Sequence, residues 1–226
     1  VTDRPRAWVS WSSGKDSALA LHETLAAGEV DVVGLLTTVN STADRVAMHA
    51  VRRALLLEQG ARLGLPVQVV DLPWPCSNEV YEERMAGALT TAAAHGVEQI
   101  VFGDLFLEDV RAYRIASLTG SGITPVFPLW GRDTTDLARA VIALGIRAVV
   151  TCVDPRLLPA ALCGSWYDDA FLQSLPPEAD PCGENGEFHT FVAATPDFRA
   201  PIEVSVGEIV ERDGFVFADV VPAPPT

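Results

Sequence analysis

Six consecutive residues, Ser12-Ser13-Gly14-Lys15-Asp16-Ser17, bring hydroxyls, an ammonium and a carboxylate onto one short segment. Lys15 is the only lysine of the 226-residue chain; the other basic side chains are 15 arginines. An ammonium is a compact point charge where a guanidinium is a planar fork, so a lysine kept in this one place suits a phosphate better than a carboxylate fork. The spacing is not a Walker A loop, which needs a second glycine four residues ahead of Gly-Lys-Ser/Thr. Backbone N–H groups at a helix start, with the hydroxyls of Ser12 and Ser17, still suit a pyrophosphate.

A second group lies far along the chain at Gly183-Glu184-Asn185-Gly186-Glu187-Phe188-His189-Thr190. Two glycines let backbone approach a ligand closely. Two carboxylates and an imidazole can hold magnesium, a cationic amine or a proton in transit; the plainer reading is a glycine turn ahead of a strand. Gly103-Asp104 follows an apolar run, and Arg111 and Arg114 are three apart on one helix face. Those arginines either clamp phosphates or pair with Glu108 and Asp109. His49 reads as a solvated or capping residue at a helix start.

The elements that must position these groups alternate. Apolar runs at 7–11, 30–38, 66–72, 99–102, 124–127 and 147–153 read as strands, and helical stretches are expected at 15–27, 48–63, 78–95, 109–119 and 134–144. Most of the strand runs are apolar throughout, which suits a parallel sheet covered on both faces. Gly28, Gly64, Gly96 and Gly145 follow helices as stop signals, and Ser77 and Asp133 are N-cap residues. This order implies an α/β fold, a doubly wound, mostly parallel sheet, whose ligands bind beyond the carboxyl ends of the strands. The lysine loop, Thr38 and Gly103-Asp104 all fall on that edge. Prolines 155, 159, 176, 177 and 181 then break the pattern, and strands at 188–193, 202–206 and 215–220 read as a smaller α+β region. The expected division is 1–153 for nucleotide binding and 154–226 for closure over it. The tail Pro222-Ala223-Pro224-Pro225 reads as frayed.

The net charge of −14 argues against nucleic acid and anionic membrane as partners. Cys76, Cys152, Cys163 and Cys182 form no Cys-x-x-Cys pair, as expected of thiols in a reducing cytoplasm. Asp3, Arg4 and Arg6 ahead of the first strand do not read as a signal peptide. The most apolar stretch, 138–153, is interrupted by Arg139, Gly145 and Arg147, so no membrane span is expected.

The lysine loop resembles the Ser-Gly-Gly-x-Asp-Ser loop of the PP-loop ATP pyrophosphatases, with Ser13 replacing a glycine. Residues 183–190 are similar to the Gly-Glu-x-Gly-Glu-Phe/Tyr-x-Thr signature of the diphthine–ammonia ligase branch of that superfamily. Pro128-Leu129-Trp130 resembles a segment of the same branch. Gly103-Asp104-Leu105-Phe106-Leu107-Glu108-Asp109 with Arg111 and Arg114 looks like its bacterial adenine nucleotide alpha hydrolase-like relatives. At Gly164-Ser165-Trp166-Tyr167-Asp168 the chain has no arginine where those relatives carry one.

The resemblance implies a Rossmann-like fold of the adenine nucleotide alpha hydrolase type, with ATP and Mg2+ as cofactors. It places the nucleotide on Ser12, Ser13, Gly14, Lys15, Asp16, Ser17, Thr38, Gly103, Arg111 and Arg114. Lys15, Asp104, Glu184, Glu187 and His189 would carry the chemistry, and Asp16 and Glu187 the metal. The implied reaction cleaves ATP to AMP and pyrophosphate, adenylating a carboxylate that ammonia or an amine then attacks. The partners are ATP, ammonia and a small-molecule or protein carboxylate acceptor, with a homodimer as a further candidate. A nucleotide sensor without turnover and a tRNA-modifying PP-loop enzyme stand as alternatives; the acidic charge speaks against the second.

Overall fold

The computed structural model describes residues 4–223. Asp3 and, from the expected frayed tail, Pro224 and Pro225 lie outside the described residues; Pro222 closes a strand.

The chain opens with β1 (Arg6–Ser10), α1 (Lys15–Ala27) and β2 (Asp31–Asn40), then a two-residue β3 (Arg45–Val46) and α2 (Arg53–Leu63). It continues through β4 (Val67–Leu72), α3 (Asn78–Ala94), β5 (Val97–Val101), α4 (Glu108–Leu118), β6 (Thr124–Val126) and α5 (Thr134–Ala143). In the first sheet β1 is central and pairs in parallel with β2 and β5. β4 extends the sheet beyond β2 and β6 extends it beyond β5, both in parallel. Alternation along the strands fills two cores. Ala7 and Val9 of β1 face α1 and α2, whereas Trp8, with Leu36 and Ile100, faces α3. This is the α/β, doubly wound arrangement expected. Gly28 ends α1 in the left-handed conformation with φ of 64°, where a side chain would be strained. Ser77 and Asp133 cap α3 and α5 by accepting from Val80 N and Asp136 N.

A second sheet follows, built from β7 (Arg147–Val153), β8 (Phe188–Ala194), β9 (Val204–Arg212) and β10 (Phe215–Pro222) in the order β8-β7-β10-β9, all antiparallel. A short α6 (Asp169–Ser174) precedes β8. The strand at 147–153, which its largely apolar run suggests as a sixth member of the parallel sheet, instead joins this one. Residues 148–153 are buried on both faces, and such a run looks the same in either sheet. The second sheet shares one core with α1, α2 and α5.

The helix expected at 48–63 begins only at Arg53. Residues 48–52 form a turn in which Met48 and Ala50 have φ of 61° and 55°. Arg45 and Arg52 form a bridge there, and both reach Asp219 of β10, at 2.9 and 2.5 Å. β3 takes the edge of β2 that β1 vacates after Ser10, so this hairpin stands over the carboxyl end of β1.

Candidate active site

The loop between β1 and α1 is shaped by contacts from the second sheet. Ser13 adopts φ of 71°, the left-handed conformation that disfavours side chains. Its carbonyl accepts from Val192 N of β8 at 2.8 Å and from Gln59 Nε2 at 3.2 Å. Thr190 Oγ1 accepts the Lys15 N–H at 3.1 Å. The carbonyl of Thr190 accepts from His49 Nδ1 at 2.9 Å, which leaves Nε2 of that ring as the free acceptor. The His49 ring covers Gly14; a Cβ there would lie 2.7 Å from its Cε1, so any larger residue would displace the ring. Ser17 Oγ donates to Gly14 O at 2.9 Å and lies 3.2 Å from Ser12 Oγ. Gly103 is pressed on the same turn: a Cβ would sit 3.0 Å from the backbone of Asp16.

One cavity of about 740 Å³ opens on this loop. Ser12, Lys15, Asp16 and Ser17 line it, together with Thr38, Gly103, Asp104, Arg114, Glu184 and His189. The three loops at the strand ends and the second Gly/Glu segment thus face one space. His49 also lines it, with its ring centroid 4.7 Å from that of His189.

Four expected ligands stand elsewhere. Ser13 is buried at 0% exposure with its hydroxyl unpartnered, and Gly14 lies behind His49. Arg111 lies over the rings of Phe127 and Trp130, at 5.3 and 4.7 Å. Glu187, 3% exposed, turns inward: its Oε1 accepts from Asp180 N at 2.9 Å and Asn185 Nδ2 at 3.1 Å. Glu187 thereby shapes the 180–187 loop instead of facing the cavity, because that loop closes on its own backbone amides.

Lys15 also differs from the role its loop suggests. It is 2% exposed, and its Nζ bonds both carboxylate oxygens of Asp16, at 2.8 and 2.9 Å, and the carbonyl of Cys182. The rings of Tyr167 and Phe188 lie 5.4 and 5.3 Å from it. Burial alone would lower its pKa, but the Asp16 carboxylate overcomes this and holds the ammonium charged. The charge therefore ties the loop between β1 and α1 to the second motif.

The remaining titratable groups diverge in a useful way. Burial, with Asp16 and Asp104 nearby, pushes Glu184 up to about 7, against the Leu105 N–H that donates to it at 2.8 Å. Burial also raises Asp104, opposed by Arg114, whose Nε is 3.5 Å away. Burial lowers His49, and burial with His49 and Lys15 nearby takes His189 down to about 3, so both rings are neutral at pH 7. A carboxyl near 7 is suited to exchange a proton, whereas these imidazoles serve as neutral hydrogen-bonding groups.

No group of three or more His, Cys, Asp and Glu among the described residues is arranged to hold a metal. Asp16, Asp104 and Glu184 nevertheless repel one another across the cavity. Hard carboxylate oxygens of this kind fit magnesium, which commonly takes one or two carboxylates and completes its shell with phosphates and water.

Sequence reasoning gives Gln59 no role, reads His49 as a solvated or capping residue although its ring packs on Gly14 and bonds Thr190 O, and names Thr190 only as the end of the second motif. Gln59 is fully buried and takes the Trp11 Nε1–H at 2.8 Å while bonding Ser13 O and Val192 O. A polar side chain on the same stripe as Leu55 and Leu56 of α2 was the available signal.

A mostly parallel sheet with a glycine-and-hydroxyl loop at its central strand, faced by carboxylates, is the α/β arrangement of the PP-loop class. Residues 5–120 match the diphthamide synthase N-terminal domain family, and the chain belongs to it. It is similar to the diphthine–ammonia ligases of Bos taurus and Homo sapiens, each 25% identical over 231 aligned residues, covering 92% of this chain and 86% of the relative. The Rattus norvegicus diphthine–ammonia ligase is 29% identical over 120 residues, half of this chain and 45% of that protein. No helix among the described residues is long and apolar enough to cross a membrane.

Proposed function

We propose that this chain is an ATP-dependent C–N ligase that adenylates a carboxylate and passes the acyl group to ammonia. The observation that carries the reading is the stitching of β8 to the phosphate loop, with Glu184 and His189 lining the same cavity as Ser12, Asp16 and Ser17. The base and ribose would lie near Thr38, and the phosphates on the amides and hydroxyls at the α1 start. An acceptor carboxylate oxygen attacks the α-phosphorus and the bond to the β-phosphate oxygen breaks, releasing pyrophosphate. Ammonia then attacks the acyl carbon, AMP departs, and Glu184 accepts the proton lost from nitrogen. Asp16 and Asp104 would hold magnesium, whose chemistry there is to neutralise phosphate charge. Lys15 positions the loop through Asp16 and Cys182.

Because β7 pairs with β8 and β10, we place the division between the nucleotide-binding part and the closing part ahead of β7 instead of after residue 153. Four free thiols suit a reducing cytoplasm. The sensor reading draws on Lys15 alone, since its charge is already committed within the protein.

Separation of nucleotides after incubation with magnesium and ATP tests the proposal. AMP and pyrophosphate, lost in Glu184→Gln only at the ammonia-dependent stage, are expected. ADP and phosphate would refute α–β cleavage, and tight ATP binding without turnover under any carboxylate and ammonium supplement would favour the sensor.

A further inference from the structure

Gln59 is a polar side chain on a helix face where its neighbours are leucines. Leu55 and Leu56 of α2 are buried in the core, and Gln59 is 0% exposed beside them. Burying an amide costs free energy unless its hydrogen bonds to water are replaced. Here they are replaced by three groups outside α2. The Oε1 atom accepts from Trp11 Nε1 at 2.8 Å. The Nε2 atom donates to Val192 O of β8 at 2.7 Å and to Ser13 O at 3.2 Å. An apolar residue would meet the needs of the core, so the polar choice directs attention to the groups that Gln59 holds.

The Ser13 carbonyl matters because of the amide across its peptide bond. A trans peptide directs its C=O and its N–H in opposite directions. Ser13 O is turned to Gln59 Nε2 and Val192 N, so the N–H of Gly14 is turned the other way, where Ser12 Oγ accepts it at 3.3 Å. Ser12 lines the cavity, and its hydroxyl lies 3.2 Å from that of Ser17. A hydroxyl that accepts a hydrogen bond becomes a stronger donor, with its own hydrogen free to turn to a ligand. The arrangement is not the relaxed one for its backbone. Ser13 has φ of 71°, a conformation that a serine keeps only where its surroundings hold it. Two donors on its carbonyl do so, and without Gln59 the Val192 amide is left alone.

We propose that Gln59 is a positioning residue for phosphate binding: through the Ser13–Gly14 peptide it fixes the Ser12 hydroxyl at the cavity wall, where that hydroxyl donates to a phosphate oxygen of the nucleotide. This rests on the nucleotide reading of the cavity and not on the ligase chemistry. Gln59 is fully buried and itself touches no ligand. The base and ribose, held away from this peptide, do not sense it.

The test is equilibrium binding, by calorimetry, of α,β-methylene-ATP with magnesium and, separately, of adenosine. Gln59→Met is expected to weaken the analogue about tenfold or more, and adenosine by about twofold at most. Ser12→Ala is expected to show the same pattern. The double variant Gln59→Met/Ser12→Ala should lose no more than the larger single loss, because both changes remove one interaction. A double loss equal to the product of the two single ones overturns the proposal, since Gln59 would then act independently of Ser12. An equal loss of adenosine affinity overturns it too. Should Gln59→Met show no cooperative thermal transition, the wild-type protein decides. A bond that favours the ligand is strengthened by the ligand in return. Loading with the analogue should therefore slow hydrogen exchange of the Gln59 side-chain amide beyond that of Trp11 Nε1, and equal slowing overturns the proposal. A wild-type protein that binds neither probe removes the nucleotide reading and this inference with it. Formation of ADP in place of AMP, with the coupled loss intact, removes the ligase reading and leaves the role of Gln59 standing.

Discussion

The hydroxyl of Thr190 accepts the amide hydrogen of Lys15 at 3.1 Å, joining residues 175 positions apart. Beside it, the Lys15 ammonium holds the Cys182 carbonyl. The two sequence motifs are therefore one structural unit, and each should respond when the other is changed.

Lys15→Met removes the cation from Asp16 and Cys182. Breaking a buried pair costs roughly 3–5 kcal/mol, and Asp16 keeps some solvent, so a loss of about 3 kcal/mol is expected. Urea unfolding measures it. Lys15→Arg should not restore stability, because a planar guanidinium cannot replace a compact ammonium between two rings. An unchanged midpoint in Lys15→Met would show that the clip contributes nothing.

Ser13→Gly should stabilise the protein. Serine at φ of 71° carries a left-handed penalty of roughly 1–2 kcal/mol, and its buried hydroxyl has no partner. Glycine gives some of this back through a more flexible unfolded chain. A net gain of about 1 kcal/mol is expected by denaturant titration; a loss would mean that the hydroxyl has a partner in solution.

Glu184 is raised from 4.5 to about 7 on folding. Between those values the folded protein keeps a proton that the unfolded chain has released, so stability falls as pH rises through the window. Glu184→Gln should flatten that fall, by roughly 2–3 kcal/mol between pH 4.5 and 8. The same variant should remove the rise of ligase turnover around pH 7. Identical pH–stability curves for the two proteins would show that Glu184 titrates normally.

Asp219 behaves oppositely. Its bonds to Arg52 and, beyond the opposing effect of burial, to Arg45 hold its carboxyl at about 2 against 3.8 unfolded. The stability this gives is present above 3.8 and is lost as pH falls toward 2. Asp219→Asn should cost roughly 1–2 kcal/mol at pH 6 after solvent screening, and nothing near pH 2. Thermal melts across that range check the sign.

Local signals carried much of this fold. The capping side chains of Ser77 and Asp133, the glycine after α1, and the strand–loop–helix around Lys15 are set by neighbours a few residues away. The sheet that β7 joins is decided by β8 and β10, which lie much later in the chain, and its own largely apolar, buried run is indifferent. The late start of α2 has the same origin: residues 45–52 bend to bring two arginines onto Asp219. At the site, Glu184 and His189 could be marked from their types, but Glu187 and Arg111 could not be separated from them. Whether a carboxylate or guanidinium faces a cavity depends on the turn that carries it, and residue type alone does not contain that turn.

The Thr190–Lys15 bond also bears on how the protein is made. During synthesis every strand of the first sheet emerges before β8. Until then Ser13 has no Val192 amide, Gln59 lacks one acceptor and the Lys15 ammonium has no Cys182 carbonyl. The loop between β1 and α1 is thus completed last although it is translated early. A ribosome-bound chain that stops short of Thr190 should lack all of these contacts, so the loop between β1 and α1 should take its final shape only after β8 has emerged.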